Sequence, residues 1–296
     1  DENGIQGLHP STVYLPNGTR PSSDVCSFYG IVLHSLQQQW NDNGPLFVEG
    51  RPVPSSRPQD LKTPQPLGSH HHVPLSIYVY QRPQYFEEVL ANLKLVRGIE
   101  HVPVFVISMD SVHKEMLDIA LSIDFVPFRI IFHPARGDLL PVESVLAIKN
   151  HWIWLQDMLW TKIPETRRYN GHIALLEEDH VVTPDYLEVV ALLLELKGRE
   201  CPRCWGVCVR YGCRDMTDPQ IHKICKTHSI LNTGIAFNRS TYEAIKASDF
   251  ASFTDGWDWS LFHLAQTGQM ADMMLAPAVS RIRNIGLQGA TVRDDG

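Results

Sequence analysis

A regular alternation of strand and helix patterns from Pro74 onwards most limits the folds open to this chain. Short apolar runs rich in β-branched and aromatic residues predict strands, and stretches with helical spacing predict helices between them. The predicted strands are LSIYVY, PVFVIS, PFRIIF and HIALLE, and the helices between them are QYFEEVLANLKLVRG, SVHKEMLDIAL and ESVLAIKNHWIWLQDMLW. This βαβαβαβ order predicts an α/β fold, with a mostly parallel sheet flanked by helices.

The regular alternation ends near Gly198. We expect the helix after the fourth strand to have Thr183 as its N-cap and Pro184 at its first position, and to end at Gly198. Beyond it, WGVCVR and TGIAF predict strands, and DGWDWSLFHLAQTG predicts a helix. STYEAIKAS predicts another helix, which begins with a capping box of Ser240 and Glu243.

Residues 1–73 have a different composition from the rest of the chain. They are rich in Pro, Gly and Ser and show little periodicity, apart from FYGIVLHSLQQQW, which could form a helix. We therefore expect an irregular, stem-like extension over residues 1–73 and an α/β domain over residues 74–296. SHHHVP, at this boundary, favours a polar linker over a metal site.

Charge and hydropathy argue against two classes of function. The 296 residues carry a formal net charge of −7 and no dense block of Lys or Arg, so no nucleic-acid-binding surface is expected. No apolar run reaches the length of a membrane span. Because the sequence starts at Asp1 rather than at Met, we expect a fragment of a longer protein.

Five of the six cysteines fall in one short window: Cys201, Cys204, Cys208, Cys213 and Cys225. Disulfides, reduced structural thiols and a zinc site are all open interpretations, although the spacing after the single C-x-x-C is a poor match to a zinc finger. Two glycosylation sequons begin at Asn17 and Asn238, and Asn238 could instead cap a helix. Cysteines and sequons together favour an oxidising, secretory compartment.

Polar clusters follow three of the predicted strands. They are Gln81-Arg82-Pro83, Asp110-Ser111 and the run from Glu177 to His180. In open α/β sheets, ligands bind beyond the carboxyl ends of the strands, so these clusters are candidate ligand contacts. No G-x-G-x-x-G or Walker A sequence is present, which argues against dinucleotide-binding and P-loop proteins.

The acidic run at the end of the fourth strand has two interpretations. In a continuing strand, Glu177 and Asp179 point to one face, and Glu178 and His180 to the other. A carboxylate at the tip of a buried strand is costly unless it is paired or binds a cation such as Mg²⁺ or Mn²⁺. Alternatively, the acids form a solvated turn before a helix, where the helix dipole also favours negative charge.

Three other residues are candidates for chemistry. The indoles around Asp258 in DGWDWS could desolvate its carboxylate, which suits a general base, or could simply belong to the core. Arg82 could pair with a phosphate or a base edge, although an arginine after a strand is often a surface residue. His151 could be a ligand contact or an ordinary hydrogen-bonded histidine.

Six segments, in order, resemble the N-acetylglucosaminyltransferase II family. They are QRPQYF, KNHWIW, LEEDH, ECPRC, TGIAF and GWDWS. The resemblance runs from about Pro74 to Gly286, and EEDH distinguishes this family from the related N-acetylglucosaminyltransferase I. It implies a GT-A type, Rossmann-like nucleotide-sugar glycosyltransferase fold, with a donor-binding half over residues 74–182 and an acceptor half over residues 183–296.

The same resemblance implies a reaction. UDP-GlcNAc would be the donor, Mn²⁺ the cofactor and the α1,6-arm mannose of a glycoprotein N-glycan the acceptor. GlcNAc would be added in β1,2 linkage with inversion, in the Golgi lumen. The resemblance also implies a type II membrane protein, whose anchor we do not expect within these residues.

Roles follow from the matched positions. Asp179 would bind Mn²⁺, Asp258 would be the general base, and Cys201 and Cys204 would form a disulfide. The positions that would hold uridine are Arg82, Asp110 and His151. The positions that would border the GlcNAc are Glu178, Asn232 and Trp257.

One position departs from the family pattern. RIRNIG places Asn284 where the family has a second metal ligand, a histidine. An amide oxygen is a neutral and weaker donor than an imidazole, so metal affinity could be low. Two alternatives therefore remain: a catalytically weak protein that binds UDP or a glycan, and a related β-N-acetylglucosaminyltransferase with another acceptor.

Overall fold

The computed structural model describes residues 13–14, 47–49, 73–110, 113–133, 145–213, 223–228 and 230–287. Several features raised by the sequence lie outside these ranges. They are the Asn17 sequon, FYGIVLHSLQQQW, Ser111 and the SHHH part of SHHHVP.

Twelve strands occur within the described residues. They are β1 (Val13–Tyr14), β2 (Phe47–Glu49), β3 (Leu75–Val79), β4 (Phe105–Met109), β5 (Phe128–Phe132), β6 (His172–Glu177), β7 (His180–Val182), β8 (Gly206–Cys208), β9 (Ile224–Thr227), β10 (Ile235–Asn238), β11 (Met274–Pro277) and β12 (Ile282–Asn284). The four strands predicted before residue 180 are confirmed as β3 to β6. Two short strands, β1 and β2, precede the predicted boundary at residue 74.

The α-helices within the described residues number six. They are α1 (Pro83–Leu93), α2 (Lys114–Leu121), α3 (Val145–Asp157), α4 (Tyr186–Glu200), α5 (Arg239–Lys246) and α6 (Trp257–Gln266). A π-helical turn, Met158–Lys162, extends α3. None of these helices is long and apolar enough to span a membrane.

Ten of the strands form one sheet in the order β1-β2-β5-β4-β3-β6-β10-β8-β11-β9. The four neighbouring strands β5, β4, β3 and β6 are parallel, as expected for strands joined by helices. β10 then pairs antiparallel with β6, so the second half of the sheet is mixed. The carboxyl ends of β3, β4, β5 and β6 therefore lie side by side at one edge of the sheet.

Two apolar layers enclose the sheet. One packs α1, α2 and α4 against one face, around Leu75, Ile77 and Val79 of β3. The other packs α3, α5 and α6 against the opposite face, around Tyr78 and Trp152. Every residue of β3, β4 and β5 is buried, which explains why these strands are continuous apolar runs rather than alternating ones. The predicted fold class, an α/β sheet flanked by helices, is confirmed.

The predicted ends of α4 are wrong. Its N-cap is Asp185, because the Thr183 hydroxyl donates to the Asp185 carboxylate at 2.5 Å instead of capping the helix. At the other end, Gly198 lies inside the helix, and a Cβ placed there would meet nothing within 4 Å. The helix continues to Glu200 and stops at Cys201, which forms a disulfide with Cys204.

The predicted capping box of α5 is also wrong. The N-cap is Asn238, whose side-chain oxygen accepts from the backbone N–H of Thr241 at 3.2 Å. Ser240 lies one residue inside the helix and donates to the same Asn238 oxygen at 2.8 Å. The alternative interpretation of Asn238, as a helix cap, is therefore confirmed.

Four cysteines form two disulfides, Cys201–Cys204 and Cys213–Cys225. The first confirms the pairing that the resemblance implied, and the second was not predicted. Both exclude a zinc site built from these thiols. Cys208 is buried with a free thiol, which donates to the carbonyl oxygen of Thr233 at 3.0 Å.

Two substitutions test the cap of α5. Asn238→Ala should lower the free energy of unfolding by about 1 kcal/mol more than Ser240→Ala, because only Asn238 caps a backbone N–H of the helix. Both substitutions remove the sequon, so any effect of a glycan cancels in the comparison. Urea unfolding of both variants measures the difference. An equal loss, or a larger one for Ser240→Ala, would contradict the assignment of the cap.

Candidate active site

A tight turn follows β6 and places the acidic run. The strand ends at Glu177, the chain turns at Glu178 and Asp179, and His180 starts β7. His180 folds back and its Nδ1 accepts from the backbone N–H of Glu177 at 3.0 Å. The predicted alternation is therefore wrong for His180, which lies on the same side as Glu177 and Asp179 because the turn interrupts the strand.

Arg82, at the end of β3, neutralises part of this acidic run. Its Nε contacts Glu178 Oε1, and its Nη1 lies 3.0 Å from Asp179 Oδ2. Glu178 also accepts from the backbone N–H of Tyr80 at 2.7 Å. Glu178 and Asp179 are only 3% and 5% exposed, which excludes a solvated acidic turn.

Asp179 is enclosed by partners from distant parts of the chain. β12 pairs with β7 so that Asn284 lies opposite His180. Asn284 Nδ2 donates to Asp179 Oδ1 at 3.2 Å, and His180 Nε2 lies 3.9 Å from the same oxygen. A Cβ at Gly286 would come within 2.3 Å of Asp179 Oδ2, so only glycine fits there without displacing the carboxylate.

The carboxyl group of Glu177 has an unusually high pKa. Protein atoms crowd its carboxyl group although part of the residue reaches solvent, and this desolvation raises its pKa to about 8. The negative charges of Asp179 and, more weakly, Asp258 raise this pKa further. The Tyr78 hydroxyl bonds to Glu177 and accepts from Trp257 Nε1 at 3.0 Å.

The acids and Asn284 could hold a divalent cation. Ligand atoms of Glu177, Asp179 and His180 lie within 4.8 Å of one another. Burial and then the charge of Asp179 raise the pKa of Glu177, and a bound cation would offset the charge. His180 is a poorer ligand, because the hydrogen bond that its Nδ1 accepts leaves the proton of the neutral ring on Nε2. Asn284 Oδ1 accepts from the Gly286 N–H at 2.7 Å and keeps a second lone pair.

A second polar group lies beyond β4 and β5. Asp110 Oδ1 is 2.5 Å from His133 Nδ1 and 3.8 Å from His151 Nδ1. Burial opposes ionisation of Asp110, but the hydrogen bond with His133 and the electrostatic attraction of both histidines together outweigh burial and hold the pKa of Asp110 below its usual value. Burial also lowers the pKa of His151 to about 3, so this ring is neutral at physiological pH. We call Asp110, His133 and His151 the histidine cluster.

Asp258, near the start of α6, is held by two hydrogen bonds. Its Oδ2 accepts from Asn232 Nδ2 at 2.9 Å, and its Oδ1 accepts from the backbone N–H of Trp259 at 2.9 Å. The two neighbouring indoles differ. Trp257 is buried and stacks on Trp152 with ring centroids 5.3 Å apart, whereas Trp259 is 60% exposed.

The structure collects the predicted site residues into groups. Arg82, Glu178, Asp179 and Asn284 lie together, Asp110 lies beside His151, and Asn232 binds Asp258. Their assigned roles stay predictions. Sequence patterns missed Tyr78, the raised pKa of Glu177 and His133. The only sequence signal for His133 was its position directly after the predicted strand PFRIIF.

Loss of Arg82 should destabilise the fold. Arg82→Ala would leave the buried Glu178 without its cation, which costs roughly 3–5 kcal/mol in a fully buried pair and less here, because the Arg82 side chain is 25% exposed. Arg97→Ala is the matched control, because Arg97 pairs with Glu188 at the exposed surface, where losing an ion pair should change the stability little. Urea unfolding of both variants measures the losses, and similar losses would contradict the account.

Comparisons with known proteins agree with the resemblance seen in the sequence. The family model described as N-acetylglucosaminyltransferase II (MGAT2) matches residues 57–144 and 142–295. An Arabidopsis thaliana alpha-1,6-mannosyl-glycoprotein 2-beta-N-acetylglucosaminyltransferase is 26% identical over 226 residues, covering 64% of this chain and 52% of the relative. Its Homo sapiens namesake is 27% identical over 312 residues, covering 88% of this chain and 68% of the relative.

The chain thus spans about half to two thirds of the length of these relatives. Among solved structures, a crystal structure of S. aureus TarS 1-349 aligns with a TM-score of 0.46 and 9% identity, covering 71% of this chain and 59% of that chain. The family model covers most of the chain and includes both halves of the site. The chain therefore belongs to the N-acetylglucosaminyltransferase II family.

Proposed function

We propose that this chain transfers GlcNAc from UDP-GlcNAc, in β1,2 linkage, to the α1,6-arm mannose of glycoprotein N-glycans. The observation that carries the proposal is the 3.0 Å hydrogen bond from Trp257, the neighbour of Asp258, to Tyr78, the strand partner of Glu177. It joins the start of α6, where Asn232 binds Asp258, to the end of β6, which leads to Asp179. The names of the relatives support the same sugar and the same class of acceptor.

Asp258 is the proposed general base. One of its oxygens would accept the proton of the mannose 2-hydroxyl as that oxygen attacks C1 of GlcNAc and the bond from C1 to the diphosphate breaks. Direct displacement from the opposite face inverts the anomeric centre, so no covalent intermediate is needed. Asn232 orients the carboxylate through the 2.9 Å hydrogen bond, which fixes the direction in which the base faces.

Donor binding is assigned to the ends of the parallel strands. Asp110 would accept from the uracil N–H, and His151 and Arg82 would complete the uridine contacts. Glu178, Asn232 and Trp257 would border the GlcNAc. Trp257 is buried and hydrogen-bonded to Tyr78. It would therefore form part of the wall of the GlcNAc site rather than expose the face of its indole ring to the sugar.

The proposed cofactor is Mn²⁺, held by Asp179 and by Asn284, whose amide would have to turn so that Oδ1 rather than Nδ2 faces Asp179. When bound, it supplies positive charge that stabilises the departing diphosphate. Arg82 Nη1, 3.0 Å from Asp179 Oδ2, pairs with that carboxylate and restricts its position. The two disulfides are compatible with the oxidising lumen of the Golgi, where we place the reaction.

Removing the base should slow transfer. Asp258→Asn should reduce kcat by roughly 10²–10⁴-fold, because an amide cannot accept the proton. Affinity for UDP should stay unchanged, since Asp258 contacts the acceptor hydroxyl rather than the nucleotide. Asp255→Asn is the matched control, because Asp255 is an exposed acid at the same end of α6, paired with His263 at 2.9 Å. If the Asp258→Asn variant keeps the wild-type rate, Asp258 is not the base.

The substitution Asn284→His tests whether weak metal binding limits the activity of the native protein. Asn284→His should tighten Mn²⁺ binding at least several-fold, because imidazole is the better donor. Titration of Mn²⁺ followed by electron paramagnetic resonance measures the affinity, and UDP release measures turnover. Arg283→His, at an exposed neighbouring position, controls for a histidine added nearby. Unchanged Mn²⁺ affinity would mean that Asn284 is not a ligand, and a large gain in turnover would favour a native protein impaired in metal binding.

A further inference from the structure

We propose that Thr233 is a positioning residue for the base: its hydroxyl holds the amide of Asn232, which in turn holds Asp258. The Thr233 hydroxyl donates to Asn232 Oδ1 at 3.2 Å, and Asn232 Nδ2 donates to Asp258 Oδ2 at 2.9 Å. Thr233 is only 6% exposed, so water competes little for its hydroxyl. The inference rests on the proposed function, since it takes Asp258 as the base.

The two hydrogen bonds hold the Asn232 amide at both of its polar atoms. The torsion between the amide group and the rest of an asparagine side chain is broad, so a single hydrogen bond would leave the amide plane free to swing. The other bond to the carboxylate of Asp258 comes from the backbone N–H of Trp259, so a swing of the amide would disturb one of two bonds that direct the base. Small misplacements of reacting groups slow a reaction strongly.

The backbone around Thr233 is anchored to β8 and to the segment that follows it. The carbonyl oxygen of Thr233 accepts from the thiol of Cys208 at 3.0 Å, and that of Gly234 accepts from the Val209 N–H at 3.1 Å. Gly234 has a φ of 66°, in the left-handed region, and a Cβ there would come within 2.7 Å of Ile282. The turn that carries Thr233 therefore has a fixed place beside the sheet, and the free thiol of Cys208 helps to hold it.

A substitution that keeps the side-chain shape tests this role. Thr233→Val removes the hydroxyl, so kcat should fall about 2–10-fold, the effect of losing one neutral hydrogen bond. The affinity for UDP should stay unchanged, because Thr233 acts on the base rather than on the donor. Thr233→Ser restores a hydroxyl and should keep most of the wild-type kcat. UDP release at saturating donor and acceptor measures kcat, and calorimetry measures UDP binding.

Thr241→Val is the matched control. Thr241 is also buried, and its hydroxyl donates to the carbonyl oxygen of Trp205 at 2.7 Å. It follows β10, whereas Thr233 precedes that strand, so the two hydroxyls lie near opposite ends of β10. Thr241→Val should lose stability and keep the wild-type kcat, and an equal loss of kcat in both variants would overturn the proposal. Thr233→Ala replaces the valine variant if that protein folds poorly.

The Asp258→Asn background separates positioning of the base from a general effect on the fold. If Thr233 acts through Asp258, adding Thr233→Val should change the residual rate of Asp258→Asn by less than about 2-fold. A further loss as large as the loss in the wild-type chain would overturn the proposal.

The side-chain amide of Asn232 provides a measurement that needs no transfer reaction. Its Nδ2 protons can be assigned by nuclear magnetic resonance from the signals that Asn232→Asp removes. Thr233→Val should speed their exchange with water about 2–10-fold relative to Thr241→Val. A folded chain that transfers no GlcNAc would contradict the proposed function, and faster exchange would still support the hold of Thr233 on Asn232. Unchanged exchange would overturn the inference whether or not the chain transfers GlcNAc.

Discussion

The ion pairs of Arg82 are the interaction on which the site depends. Three consecutive acids end a strand that lies inside the sheet, and two of them are almost completely buried. One guanidinium, that of Arg82 at the N-cap of α1 just beyond the neighbouring strand β3, contacts both Glu178 and Asp179. Burial, reinforced by the negative charge of Asp179, raises the pKa of Glu177 to about 8, so this acid stays largely protonated at neutral pH. Asp179 is the acid that we propose as the metal ligand.

The order of the strands in the sheet determines which residues surround the acidic run. β3, β4, β5 and β6 end side by side, so Arg82, Asp110, His133 and the acids face one edge. The antiparallel addition of β10 then brings the second half of the chain against β6. Trp257, next to Asp258, donates a hydrogen bond to Tyr78 beside β6, and Asn232 holds Asp258. The proposed donor site and the proposed base therefore come from different halves of the chain.

Local patterns predicted most of the helices and strands, because burial on both faces leaves a strong apolar signal in β3 to β6. These patterns failed where a tertiary contact determines the local structure. Arg281 binds Asp185 and Thr183 donates to it, which moves the start of α4, and a disulfide rather than Gly198 ends that helix. His133 was missed because its partner, Asp110, is brought close only by the pairing of β4 with β5. The acidic run was noticed from its position, but its turn and its pKa values depend on Arg82, Tyr78 and the crowding around them.

The most direct test of the central claim is the structure of the product. The chain should be incubated with UDP-GlcNAc, Mn²⁺ and a mannose-terminated N-glycan acceptor, and the product examined by nuclear magnetic resonance. The account predicts a new GlcNAc residue with a β-anomeric proton, linked to O2 of the α1,6-arm mannose. An α-linked product, or intact UDP-GlcNAc after prolonged incubation of folded protein with Mn²⁺, would contradict it.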